Sequence, residues 1–156
     1  MFFGCNAVKR VNKNELLLKK NTFIVNGKII KSEEISRLSF HNKNSHILGI
    51  PVRLHIYNLA RPNKDSIFDA WINKKSKRKQ RYINAFSKKQ FQKIKKTSIG
   101  FNNWLLKTGE APEILDSLKI NKTKLNLERY YFSRGWFDRT IDYKVNIHGK
   151  QKASLK

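Results

Sequence analysis

One cysteine, Cys5, stands in a chain of 156 residues. A single thiol closes no intrachain disulfide and supplies no CxxC metal knuckle. The four histidines, His41, His46, His55 and His148, fall at none of the spacings of a metal site, so no metal is expected. Seven glycines form neither a dinucleotide fingerprint nor a P-loop, and no GxSxG elbow occurs. The expectation is a protein that is not an enzyme and has no cofactor. No stretch approaches the ~20 apolar residues needed to span a bilayer. Acids are scarce as well: 11 Asp and Glu stand against 34 Lys and Arg, a net charge of +23. That balance excludes an acidic solvating protein and makes a polyanion the first partner to consider: nucleic acid, an anionic lipid face or a lipid-A phosphate layer. Codon drift in an AT-rich genome enriches Lys, Asn and Ile in the same way, so the charge alone does not choose among them.

The 39% of hydrophobic residues suffice for one domain with a core. The chain opens Met1-Phe2-Phe3-Gly4-Cys5-Asn6. A small residue before Cys, after bulky apolar ones, is how a bacterial lipoprotein signal ends, but no basic and apolar leader precedes it. On the residues alone, Cys5 is either a lipid acceptor whose signal starts upstream or an ordinary cysteine. Residues 1–15 read as a lipobox remnant and tether. A strand is expected over 16–25, closed by the turn pair Asn26-Gly27. Ser32 should cap a short helix with Glu33 and Glu34 in its first turn. A helix over 50–60 ends at Arg61-Pro62-Asn63, and Asp65 or Ser66 starts the next, which carries Trp71.

Between Lys74 and Lys96 lie 11 basic residues and no acid. Ser87 and Gln90 have capping-box spacing, and Phe91, Ile94, Ser98, Phe101 and Leu105 mark one face of a helix of about 20 residues stopped at Gly109. Asn121 or Thr123 should cap a further helix that stops at Gly135. Ile141, Tyr143, Val145 and Ile147 then alternate with polar residues, the clearest strand pattern in the chain. His148-Gly149-Lys150 turns it into a partner strand at 151–155, with Ala153 and Leu155 inward. The chain stops at Lys156 before any closing element, so a truncated last strand is expected.

The junction Leu127-Glu128-Arg129-Tyr130-Tyr131-Phe132-Ser133-Arg134-Gly135-Trp136-Phe137 resembles the end of the second helix of a POTRA domain. POTRA domains are periplasmic β-α-α-β-β modules of outer-membrane β-barrel assembly and translocation proteins of the BamA/TamA superfamily. Ile47-Leu48-Gly49-Ile50-Pro51, Tyr57-Asn58-Leu59-Ala60-Arg61-Pro62, Phe101-Asn102-Asn103-Trp104-Leu105 and Gly109-Glu110-Ala111-Pro112 are similar to its lipid-anchored branch, the translocation and assembly module lipoproteins (TamL). The resemblance covers about residues 5–148. The signal peptide, the later POTRA modules and the barrel of that family have no counterpart here.

The resemblance implies an α+β fold: a POTRA-like domain over 16–156 with a large, basic helical insertion at 41–108. It implies a non-catalytic outer-membrane lipoprotein at the periplasmic face, anchored through Cys5. Such a module acts in outer-membrane protein assembly and protein translocation, binding unfolded clients or an assembly subunit by β-augmentation. The expected strand edge is Thr22, Phe23, Ile24 and Val25, or Gln151, Lys152, Ala153, Ser154 and Leu155. Tyr57, Asn58, Arg61, Pro62, Trp104, Gly135, Trp136 and Phe137 are the motif residues. Gly135 is read as a helix stop, and Trp136, Phe137, Tyr57, Trp71 and Trp104 as core. Lys74, Lys75, Lys77, Arg78, Lys79, Arg81, Lys88 and Lys89 form a basic patch, whose plain reading is a solvated helix surface. Two alternatives stay open: a basic nucleic-acid-binding protein, ranked lower for want of any recognition motif, and a fragment with no independent function.

Overall fold

A computed structural model describes residues 7–75 and 77–156; Cys5 therefore lies outside the described residues. The fold is mixed α+β. It divides into two compact units, one formed by residues 7–51 with 112–156 and the other by Val52–Ala111.

The first unit is built on a three-stranded sheet of order β1-β5-β4, made of β1 (Leu17–Asn21), β4 (Val145–Ile147) and β5 (Lys152–Leu155). β5 runs parallel to β1, with Leu17 opposite Lys152 and Asn21 opposite Leu155, and antiparallel to β4, with Val145 opposite Leu155. The outer edge of β1 is closed by the segment after Pro112, through Leu18 N–H to Glu113 O at 2.8 Å and Leu115 N–H to Leu16 O at 2.8 Å. Leu18, Ile120 and Leu155 form the core between this sheet and α5 (Ser117–Ser133), with Leu115 and Val145 packed against them.

The expected strand over 16–25 is two strands. Thr22 ends the sheet pairing, donating its N–H to Leu155 O at 3.0 Å, and β2 (Phe23–Val25) leaves to form a hairpin with β3 (Lys28–Ile30). Asn26 and Gly27 turn it with φ of 49° and 78°, the double positive φ of the tight turn whose twist suits a hairpin. α1 (Glu33–Arg37) follows, capped by the Ser32 hydroxyl, which accepts from Ile35 N–H. α5 starts a turn before the expected Asn121 or Thr123, because the Asp116 carboxylate accepts from Leu118 N–H at 2.8 Å. Its end is a Schellman motif: Gly135 N–H reaches Phe132 O, Trp136 N–H reaches Tyr131 O, and Gly135 takes φ +85°.

The second unit is helical: α2 (Val52–Leu59), α3 (Lys64–Asn73) and α4 (Arg78–Thr108). It starts later than the expected insertion at 41–108, because His41 and Asn44 are tied to Glu113 and belong to the first unit. α3 is entered through Asn63 in the left-handed conformation rather than through Asp65 or Ser66. α4 is two arms joined at Ser87, whose φ of 60° and ψ of 159° break the helix while its hydroxyl accepts from Gln90 N–H at 3.4 Å.

The buried face of the second arm is rotated from the expected one. Asn102 and Leu105 are buried, whereas Ile94 and Phe101 are exposed. The displacement has a polar cause. Arg61 precedes Pro62 at the end of α2, where its main-chain groups lack helical partners, and Asn102 satisfies both, accepting from Arg61 N–H at 2.7 Å and donating to Arg61 O at 3.1 Å. Two turns earlier, Lys95 reaches Asp65 and Asp69 on α3 at 2.7 and 2.8 Å. Trp104, expected in the core, is 54% exposed and stacks on Phe101 at 5.7 Å.

Candidate strand-docking groove

The first unit contains a cavity of about 530 Å³, open to solvent and walled by two stretches of main chain. One wall is Thr22–Asn26, running out of β1 into β2; the other is residues 138–144, leading into β4. Lys156 stands at the inner end, and the floor is apolar: Ile35 of α1, Leu127 and Tyr131 of α5, and Trp136.

The groove results from a mismatch between pattern and pairing. Residues 140–147 carry the alternation of a strand, yet only Val145–Ile147 become one. A strand needs a ladder partner, and Lys144 has one: it exchanges two main-chain hydrogen bonds with Lys156, at 2.8 and 2.9 Å. The main chain of 140–143 makes no hydrogen bond to the main chain of another described residue. In an antiparallel ladder, hydrogen-bonded pairs recur at every second residue, so a ladder extended past Lys144 would next use the N–H and C=O of Asp142, a residue that lines the groove.

The opposite wall obeys the same arithmetic. The two-residue turn makes Val25 and Lys28 a hydrogen-bonded pair, so the main-chain groups of Ile24 face away from β3, on the side where Thr22 N–H already meets Leu155. The groove is thus lined by two stretches of chain and by the apolar side chains of Ile35, Leu127 and Trp136. An extended polypeptide fits that chemistry: its main chain is held from both sides while alternate side chains descend onto Leu127 and Tyr131.

The expected site residues are placed unevenly. Thr22, Phe23, Ile24 and Val25 border the groove. Gln151, Lys152, Ala153, Ser154 and Leu155 form no free edge: β5 is the central strand, bonded by β1 on one side and β4 on the other, and Ala153 and Leu155 are buried. Trp136 and Phe137 are not core anchors, being 56% and 71% exposed. Trp136 lines the groove, and Phe137 meets Phe132 edge-on at 5.2 Å.

Tyr57 has a structural setting: its main chain lies against Gly109, where a Cβ would approach Tyr57 N to 2.5 Å. Asn58 is buried, and Arg61 and Pro62 form the joint held by Asn102. Lys74, Lys75, Lys77, Arg78, Lys79 and Arg81 cluster at the start of α4, while Lys88 and Lys89 open its second arm, separated from them by the break at Ser87. Sequence reasoning missed Asp142, Leu127 and Tyr131 as groove residues. The signal for Asp142 was in the alternation at 140–147, read there as a complete strand.

Among the described residues no cluster of His, Cys, Asp or Glu is placed to hold a metal ion, and no helix is long and apolar enough to cross a membrane. Comparison with family models, curated proteins and solved structures finds no match to this chain.

Proposed function

We propose that this chain is a non-catalytic, POTRA-like strand-docking module of the BamA/TamA superfamily, allied to its TamL branch. It takes up extended segments of unfolded outer-membrane protein clients, or of an assembly-module subunit, by adding their strand to its own sheet. The observation that supports the reading is the groove lined by Ile24 and Asp142 together with Leu127 and Tyr131. Main-chain hydrogen bonding supplies affinity without a sequence code, which suits a module that handles many β-barrel precursors. Alternate apolar residues are what such precursors have in common, and the groove floor is matched to them. On this reading the module works at the periplasmic face of the outer membrane, held there by a lipid on Cys5.

The test is a titration of isotope-labelled protein with a short peptide alternating valine and threonine, read by amide chemical shifts. Ile24, Asp142 and Tyr131 should shift together. Shifts confined to residues 74–96, or none, would remove the reading. So would nanomolar nucleic-acid binding with a steep salt slope. The anchor is tested separately by palmitate labelling, which should mark the wild type and leave Cys5→Ser unlabelled.

A further inference from the structure

The second unit carries a surface that strand docking does not use. Five aromatic rings form one continuous cluster across α3 and both arms of α4. Phe68 meets Trp71 at 5.8 Å and Phe91 at 5.9 Å, and Tyr82 meets Trp71 at 5.7 Å and Phe86 at 6.1 Å. A cluster of this size in a core would be covered; here Trp71 and Phe86 are 44% and 45% exposed. The rim is cationic, with the 11 Lys and Arg of residues 74–96 and no acid among them. The nearby acids of α3, Asp65 and Asp69, share the Lys95 ammonium, which bridges them at 2.7 and 2.8 Å and offsets one of their two negative charges.

From this arrangement we infer that the α3–α4 surface docks on an anionic lipid bilayer, with Trp71 and Phe86 entering the headgroup layer and the surrounding Lys and Arg meeting phosphates. Interfacial elements bind in this way: buried apolar area adds to electrostatic attraction, to which each cation near an anionic surface contributes. Aromatic rings with basic neighbours favour the boundary between hydrocarbon and water. Nucleic acid fits the surface less well. Stacking needs a free ring face, whereas Tyr82 and Phe86 already stack on each other, the other pairs of the cluster lie tilted or edge-on, and the Arg78 guanidinium sits 4.8 Å above the Trp71 ring centre.

The experiment uses the full chain and two kinds of vesicle: phosphatidylcholine alone, and phosphatidylcholine with phosphatidylglycerol in equal parts. The protein should sediment with the mixed vesicles, and the fluorescence of Trp71, isolated by Trp104→Phe and Trp136→Phe, should shift to the blue. Trp71→Ala with Phe86→Ala should weaken partitioning by at least about tenfold. If that variant fails to fold by circular dichroism, Lys75→Glu with Lys79→Glu, on exposed side chains, should weaken it by at least about thirtyfold instead. Equal binding to neutral vesicles, undiminished binding of a folded variant, or displacement from vesicles by equimolar single-stranded DNA would each overturn the inference. None of these outcomes bears on the groove, which belongs to the other unit.

Discussion

His41 Nδ1 lies 2.9 Å from Glu113 Oε1, joining two segments 72 residues apart in sequence, one on each side of the inserted helical unit. The imidazole is buried, and its Nε2 meets the main chain of Asp116, O at 3.0 Å and N at 3.2 Å. Lys119 approaches the same Glu113 oxygen at 2.8 Å. His41 thus fixes the extended residues 113–116 that close the outer edge of β1 and start α5. His41→Ala should cost about 2 kcal/mol, since it leaves buried polar groups without partners, and urea unfolding of the first unit would measure it. Glu113→Gln, which keeps an acceptor, should cost less.

Peptide chemistry can separate a two-walled groove from a single free edge. A strand added to one edge uses every second main-chain N–H of the peptide. A strand held between Ile24 and Asp142 uses both sets. N-methylation at either of two successive central positions should therefore abolish binding in a peptide titration. Loss at only one of the two positions would indicate a single edge.

Gly109 is needed for close approach rather than for its φ, which is −74°. A Cβ there would come within 2.5–2.7 Å of Tyr57 N, Cα and Cβ. Because the obstruction is main chain, Gly109→Ala should destabilise the second unit by about 1–3 kcal/mol, visible as a lower thermal midpoint.

Ser87 is a non-glycine residue at positive φ, in a region that glycine occupies without strain. Ser87→Gly should stabilise the chain by about 1 kcal/mol, because strain relief exceeds the few tenths lost when glycine replaces a serine cap. Ser87→Ala keeps the strain and loses the cap, so it should destabilise. Paired thermal melts would read the opposite signs.

Hydrogen bonds from its ammonium to Asp65, then to Asp69, raise the Lys95 pKa above its ordinary 10.5. A pKa raised by folding means that the stabilisation is complete below 10.5 and is lost as pH rises through the folded-state value. The thermal midpoint should therefore fall in the alkaline range above 10.5 more steeply for wild type than for Lys95→Gln. Melts from neutral to strongly alkaline pH would check this.

Local chemistry was legible in the sequence at several points where a few adjacent residues decide it, though the caps of α3 and α5 were misplaced. Asn26-Gly27 turns, Ser32 caps, Gly135 takes positive φ and Ser87 opens a helical arm, because each depends on a side chain or its absence acting on its own backbone. Faces and edges were not. Phe91, Ile94, Ser98, Phe101 and Leu105 form a regular stripe, but Asn102 turns inward because Arg61, 41 residues away, has main-chain groups to satisfy. The strand at 151–155 reads as an edge until β1 and β4 are seen on its two sides.

Composition and spacing alone determined the unbalanced charge, the presence of both helices and strands, and several of the turns and stops between them, since these follow from short-range propensity and counting. Tertiary structure decided which strand is central, where the helical unit starts, and that Trp71, Trp104 and Trp136 reach the surface. It also decided that the strand pattern at 140–147 stays half unpaired. The reason is the same in each case: burial and ladder pairing belong to partners brought together from distant parts of the chain, and no local pattern specifies the partner.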